Sequence, residues 1–207
     1  NAPLREALIQ YTSLINNLTN RVDNMEHVEQ LKKFLLMDDN LLSITELNQA
    51  YEEVIIDAQL AMWEMLGQKM AEQFGELSSD SIAHHHDART CVKNYVQAKR
   101  NSKWIIQEIE LKEFPSFYLY VEQDHHLYFG IYCEDETKII KGMELPKRDH
   151  NYSTEEHNTF WDYPKKNINF RNLSAKDVQF LSNPNSLNSF TQEKVNELVV
   201  MLSVVVE

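Results

Sequence analysis

The chain has 207 residues, 43% of them hydrophobic and 25% charged, enough to bury a sizeable core without metal or disulfide support. Lysine and arginine number 20 against 32 aspartates and glutamates, and the resulting formal charge of -12 argues against a broad phosphate-binding surface. Two cysteines, Cys91 and Cys133, cannot build a disulfide framework and suit a reducing, cytoplasmic compartment, and no apolar run reaches the ~18–20 residues of a membrane span.

The first residues, Asn1-Ala2-Pro3, carry no initiator Met, basic region or apolar leader. Asn1 and Ala2 read as the remnant of a cleaved expression tag, with Pro3 opening a helix inside a longer protein. Leu4, Leu8, Tyr11, Ile15 and Leu18 recur at helical spacing and predict a first amphipathic helix. Asp23-Asn24-Met25-Glu26 resembles a capping box for a second helix through about Met37. Ser43-Ile44-Thr45-Glu46 reads as a clearer capping box. It opens a long helix whose inner stripe is expected to be Leu47, Tyr51, Val54, Ala58, Ala61, Met65 and Met70, stopping at Phe74-Gly75. A further helix is expected from Asp87 to about Ser102.

At Lys103 the period changes. Trp104–Lys112, Phe117–Glu122, Leu127–Cys133 and Lys138–Leu145 read as strands, rich in aromatic and β-branched residues. A two-residue hairpin loop, Asp124-His125, would oppose Val121 to Tyr128 and Phe117 to Tyr132, leaving both sheet faces apolar. Residues 146–169 read as a loop anchored by Trp161, Tyr163 and Pro164. Ser174–Leu181 reads as a short helix, and Ser189-Phe190-Thr191-Gln192 as the capping box of a last helix through Val206. The expected fold is a single α+β domain over 3–207. A helical part (3–103) packs on antiparallel hairpins of about four strands (104–147), followed by a loop and C-terminal helices (148–207).

Candidate chemistry is sparse. In His84-His85-His86-Asp87, neighbours on a helix point about 100° apart, so three in a row cannot converge on one metal ion. No metal site is assigned. Metal-dependent nucleases combine an Asp and a Glu that hold Mg²⁺ with a nearby Lys. Glu110-Leu111-Lys112 lacks a preceding strand to supply the Asp. Asp124 with Glu136-Thr137-Lys138 has tolerable spacing, but both acids fall at turns rather than on rigid strands. Phosphate-loop, nucleophile-elbow and zincin motifs are absent, and four glycines are too few for a glycine-rich phosphate loop. Tyr118, Tyr120, Tyr128 and Tyr132 offer stacking surfaces to single strands, with Lys99, Arg100 and Lys103 as the nearest cluster of cations.

Three stretches resemble one family. Pro3-Leu4-Arg5-Glu6-Ala7-Leu8-Ile9-Gln10-Tyr11 with Leu14-Ile15-Asn16-Asn17-Leu18-Thr19 resembles a helix that follows the catalytic core in bacterial PD-(D/E)XK nuclease superfamily proteins. Leu127-Tyr128-Phe129-Gly130-Ile131 is similar to a strand of their C-terminal regions, and Phe160-Trp161-Asp162-Tyr163-Pro164 to a Trp-rich segment near their ends. The family's Asp and Glu-x-Lys lie in an N-terminal core that would precede Pro3, so the resemblance carries no catalytic residue onto this chain. It implies a non-catalytic C-terminal accessory domain for substrate recognition, regulation or oligomerisation. Its partner would be the missing core, which could bind a divalent metal; no cofactor is expected in this segment. Nucleic acid would be bound weakly, or through the core, and no membrane is involved. Two alternatives stand beside it. One is a stand-alone interaction module, using the aromatic sheet or the long helix. The other is a nuclease in its own right, with Asp124, Glu136 and Lys138 as its site.

Overall fold

The computed structural model describes residues 29, 32–37, 39–98, 104–134, 152–154 and 159–206. The expected helices before residue 29, the strand at Lys138–Leu145, and Lys99, Arg100, Lys103, Glu136 and Lys138 lie outside them. The chain divides into two units, Asn1–Glu52 and Glu53–Glu207. The described part of the first is chiefly the start of a long helix, α1 (Asn40–Phe74), on which Leu41, Leu42, Leu47 and Tyr51 are exposed.

The helix begins earlier than the sequence suggested. Ser43-Ile44-Thr45-Glu46 lies within α1, where Thr45 Oγ1 donates to the Leu41 carbonyl one turn back, at 2.8 Å. Ser43, the expected cap, is likewise inside the helix, its N–H donating to the Asp39 carbonyl at 2.9 Å. The stop at Phe74 is as expected, and Gly75 takes a φ of +120°, which a side chain would resist.

In the second unit, α1 buries Ile56, Gln59, Met62, Trp63, Leu66 and Met70. Of the expected inner stripe, Ala58 and Met70 are buried and Ala61 and Met65 pack at the core's margin, but Leu47, Tyr51 and Val54 are exposed. Apolar residues cover a wide arc of this helix, so period alone does not fix its centre. The largest side chains, Trp63, Met62 and Leu66, take it because they have the most area to remove from water.

A single 3-10 turn (Ile82–His84) leads to α2 (Ala88–Val96). Asp87 caps α2 by accepting from the Thr90 N–H at 3.1 Å. Among the described residues five strands follow: β1 (Ile105–Glu110), β2 (Phe117–Gln123), β3 (Leu127–Cys133), β4 (Tyr152–Thr154) and β5 (Thr159–Asp162). They form one sheet in the order β1-β2-β3-β5-β4, with every pairing antiparallel. The α+β class and the first three strands agree with expectation. The stretch read as loop does not, since 152–154 and 159–162 extend the sheet beyond β3.

Two helices complete the chain, α3 (Ala175–Ser182) and α4 (Pro184–Val206). Ser174 and Asp177 form a reciprocal capping box at α3. The start of α4 differs from expectation, because Ser189–Gln192 lies inside it. Pro184 occupies the first turn, and Asn183 Oδ1 accepts from Asn185 and Ser186 N–H at 3.1 and 3.0 Å. Thr191 Oγ1 instead donates to the Leu187 carbonyl at 2.9 Å.

The core lies between the sheet's aliphatic face and the helices. Ile105, Ile109, Leu119, Val121, Leu127, Phe129 and Ile131 meet Trp63 and Leu66 of α1 and Leu187, Phe190 and Leu198 of α4 in one cluster. Three buried glutamines tie the layers together. Gln107 Nε2 donates to the Trp63 carbonyl at 3.0 Å, and Gln123 Nε2 donates to Gln59 Oε1 at 3.0 Å. Buried amides need such partners, and these fix the helix on the sheet at defined points.

Candidate functional site

The β2–β3 register decides what the sheet offers to its surroundings. Gln123 opposes Leu127, Val121 opposes Phe129 and Tyr118 opposes Tyr132, so the loop is Asp124-His125-His126, with three residues instead of the expected two. The extra residue shifts the pairing by one position and sorts the side chains cleanly. Leu119, Val121 and Gln123 share a face with Leu127, Phe129, Ile131 and Cys133, and all seven are buried. The other face gathers Tyr118, Tyr120 and Glu122 with Tyr128, Gly130 and Tyr132. β1 adds Glu108 and Glu110, and β5 places Trp161 opposite Gly130. The ambiguity of a doubly apolar sheet thus resolves into one aliphatic face and one face of phenols and carboxylates.

The loop that sets this register is held from several sides. Tyr95 donates its hydroxyl to the Asp124 carbonyl, and Phe170 N–H donates to the His125 carbonyl at 2.7 Å. Asn167 brackets Leu127, accepting from its N–H at 3.2 Å and donating to its carbonyl at 3.0 Å. The Arg171 guanidinium carbon sits over the Tyr95 ring, 3.9 Å from its centroid.

The rings fall into two groups. Tyr118 and Tyr132 stack with centroids 5.0 Å apart at an interplanar angle of 11°. Tyr128, Trp161 and Tyr163 meet at steep angles, with centroids 5.6 Å (Tyr128–Trp161), 5.5 Å (Trp161–Tyr163) and 6.4 Å (Tyr128–Tyr163) apart. Tyr120 links the groups, 6.3 Å from Tyr128 and 5.8 Å from Tyr132. Tyr120 is only 6% exposed, whereas Tyr118, Tyr128, Tyr132 and Trp161 are half-buried.

Each ring group has its carboxylates. Tyr132 donates its hydroxyl to Glu108 Oε2 at 3.1 Å, and Tyr118 donates to Glu134 Oε2 at 3.3 Å. Glu108, 7% exposed, is also gripped by the Ser78 hydroxyl. Its backbone N–H donates to Ser81 Oγ at 2.9 Å. Glu122 pairs with the Tyr128 hydroxyl. Burial pushes the Glu122 carboxyl above the usual carboxylate range, against the pull of that hydrogen bond. Burial raises all four tyrosine hydroxyls, and the neighbouring glutamates add to the effect. The phenols therefore stay protonated and act as donors at neutral pH, while the charge of the face resides in its carboxylates.

The predicted site residues separate on this framework. Tyr118 and Tyr120 sit on the phenol face, Tyr118 bonded to an acid and Tyr120 covered. Asp124 lies in the hairpin loop, its carboxylate 3.1 Å from His125 Nδ1. Glu110 of the first Glu-x-Lys accepts from the Ser116 N–H at 3.1 Å and shapes the β1–β2 turn. The other members of the alternative nuclease site and of the basic cluster are outside the described residues.

The histidine run leaves the 3-10 turn rather than lying along a helix, and His85 and His86 stack at 4.9 Å. Cys91 Sγ comes within 3.5 Å of His85 Nδ1, a pairing the sequence spacing did not reveal because α2 carries Cys91 back over the turn. Burial and Asp87 both raise the Cys91 thiol, which disfavours the nucleophilic thiolate. Among the described residues no group of three or more His, Cys, Asp or Glu could hold a metal ion, and no helix is long and apolar enough to cross a membrane.

Trp161 is the site residue that sequence reasoning placed least well. It reads as a loop anchor, yet β5 puts it beside Tyr128. The β-branched and aromatic residues of Thr159-Phe160-Trp161 were the available signal, but a four-residue strand without alternation is too short to stand out. No protein-family model, curated protein or solved structure matches the chain.

Proposed function

We propose that this chain is a non-catalytic recognition module that works through the phenol face of its sheet. The observation that carries the reading is the grouping of Tyr118, Tyr120, Tyr128, Tyr132 and Trp161 on one face, bordered by Glu108, Glu122 and Glu134. Aromatic rings with polar rims are the side chains that supply most of the energy at recognition surfaces, because they bury large rigid areas at little entropic cost. The hydroxyls of Tyr118, Tyr128 and Tyr132 are bonded to Glu134, Glu122 and Glu108, so these rings are held in place before any partner arrives.

The resemblance to PD-(D/E)XK proteins supports a place for the module beside a catalytic core, where it would recognise a substrate or partner for that core. The gene's reading frame decides this part, through the presence or absence of an Asp and Glu-x-Lys core encoded before Pro3. Recognition itself is tested by panning a displayed random-peptide library against the chain and against a Tyr128→Ala/Trp161→Ala variant. A consensus that the wild type enriches and the variant loses is the expected result. Peptides that bind both equally would overturn the reading.

A further inference from the structure

We propose that the phenol–carboxylate face takes arginine side chains of an extended peptide, an inference that rests on the recognition reading above. It starts from what the sheet lacks. None of the residues of β1, β2, β3, β4 or β5 is Lys, Arg or His. The same strands place Glu108, Glu110 and Glu122 on the phenol face, with Glu134 just past the end of β3. A partner that complements this face brings the positive charge itself.

The form of the charge follows from the rings. An aromatic face attracts a cation through its quadrupole, by ~0.5–1 kcal/mol when exposed and more when desolvated. A guanidinium can lie flat on a ring while its N–H groups fork onto a carboxylate beside it, which a point-like ammonium cannot do. The face offers that combination twice. Tyr128 stands between Glu122 on one side and Trp161 and Tyr163 on the other, and the Tyr118–Tyr132 stack stands next to Glu108 and Glu134. An ionised carboxylate offers about four acceptor positions, so the single phenol hydroxyl on Glu122 and on the exposed Glu134 leaves room for a guanidinium, whereas the buried Glu108, held by Tyr132 and Ser78, adds charge behind the rings. The Arg171 guanidinium over the Tyr95 ring shows an arginine cation held against a tyrosine face within this fold, at 3.9 Å.

Spacing adds a length. Tyr128 and Tyr132 lie on one face of one strand, four residues apart. At roughly 3.3 Å per residue the two backbone positions are about 13 Å apart along the strand. An extended peptide with two arginines separated by three residues spans that distance. Phosphate-bearing ligands are disfavoured, since they would meet carboxylates beside the same rings.

The test uses the full chain and a fluorescein-labelled peptide with two arginines separated by three serine or threonine residues, followed by anisotropy at moderate salt. Parallel arms replace both arginines with lysine, citrulline or glutamate. The expected result is binding of the arginine peptide, weaker binding of the lysine form, and a loss of at least about tenfold with citrulline, which keeps the shape without the charge. Glu122→Gln and Tyr128→Ala should each weaken the arginine peptide by about tenfold or more. Tyr128→Phe, which keeps the ring, should restore most of that loss and so separate the ring's role from folding. Glu64→Gln, an exposed acid on α1, should leave binding unchanged.

Equal binding of arginine and citrulline peptides would overturn the inference. So would equal losses from Glu64→Gln and Glu122→Gln, which would reduce the effect to net charge. Self-association lost in Tyr128→Ala, without arginine-peptide binding, would assign the face to a second copy and also overturn it. An acidic or apolar consensus from the library, lost in the Tyr128/Trp161 variant, would sink the arginine inference alone and leave the recognition reading standing. A library with no face-dependent consensus would remove the recognition reading itself.

Discussion

Gly67 faces Gln107 across the junction of α1 and β1, and a Cβ built there would stand 3.2 Å from Gln107 Cδ and closer still to its Nε2. That amide is fixed by its bonds to the Trp63 carbonyl and the Ala83 N–H, so it has no low-cost way to withdraw. Gly67→Ala gains about 1 kcal/mol of helix propensity. It forfeits a buried hydrogen bond and strains the packing, at about 1–3 kcal/mol each. The expected outcome is a net loss of about 1–5 kcal/mol, read as a lower urea midpoint with unchanged m-value. Glu122 gives a prediction of the opposite sign. Its carboxyl is raised by burial, and Asp124 adds to the rise while the Tyr128 hydroxyl opposes it. A folded-state value above the unfolded one means that its contribution is fully present below the ordinary carboxylate range and is lost as pH rises through the folded value. Glu122→Gln should therefore raise the unfolding midpoint at pH 7, and the gain should vanish as the pH falls through about 4. A gain that stays constant with pH would place its cause elsewhere.

Elements were legible where a local signal and a tertiary demand coincide. Leu127–Cys133 alternates, is buried on one face, and has the bounds expected of it. The α1 stop coincides with Gly75, whose positive φ explains why glycine stands there. The capping boxes were legible only in part, because the tetrapeptide pattern also occurs inside helices. Ser174 caps α3 through the Asp177 N–H, whereas Ser189 is an exposed residue within α4. Ser174→Ala should cost about 1 kcal/mol, while Ser189→Ala should stay within about 0.5 kcal/mol of wild type. Thermal unfolding of the two variants side by side checks this, and equal effects would restore Ser189 as a cap. The hairpin was the costliest miss. Its two-residue and three-residue loops differ by one position, and sequence offers no turn residue to choose between them. The structure makes the choice through groups far along the chain, since Tyr95, Asn167 and Phe170 all bond the loop or its flank. The candidate site inherits that dependence. Its tyrosines could be named from sequence, but their shared face, their carboxylate partners and Trp161 follow from a register set from outside the hairpin.

At the scale of the whole molecule, charge decides between two uses of an aromatic sheet. Tyrosines on a β-sheet can stack nucleic-acid bases, worth roughly 1–3 kcal/mol per base. Such platforms work within a basic groove that tracks the backbone. Here the chain carries a formal charge of -12, and the rings are interleaved with Glu108, Glu122 and Glu134. A base stacked on Tyr128 would bring its phosphates towards Glu122, a repulsion that works against the stacking gain inside the Debye length of about 8 Å at physiological salt. Among the described residues, Lys165 and Lys166 form a small exposed basic spot, with Lys166 Nζ over the Phe180 ring at 4.5 Å. The chain by itself should therefore bind labelled single- and double-stranded DNA weakly at low salt and not measurably at moderate salt, since binding built on a few cations is lost steeply as salt rises. Fluorescence anisotropy across a salt series checks this. Tight binding that persists at moderate salt, and that disappears when Lys99, Arg100 and Lys103 are changed together, would mean that a local basic cluster outweighs the field of the whole chain.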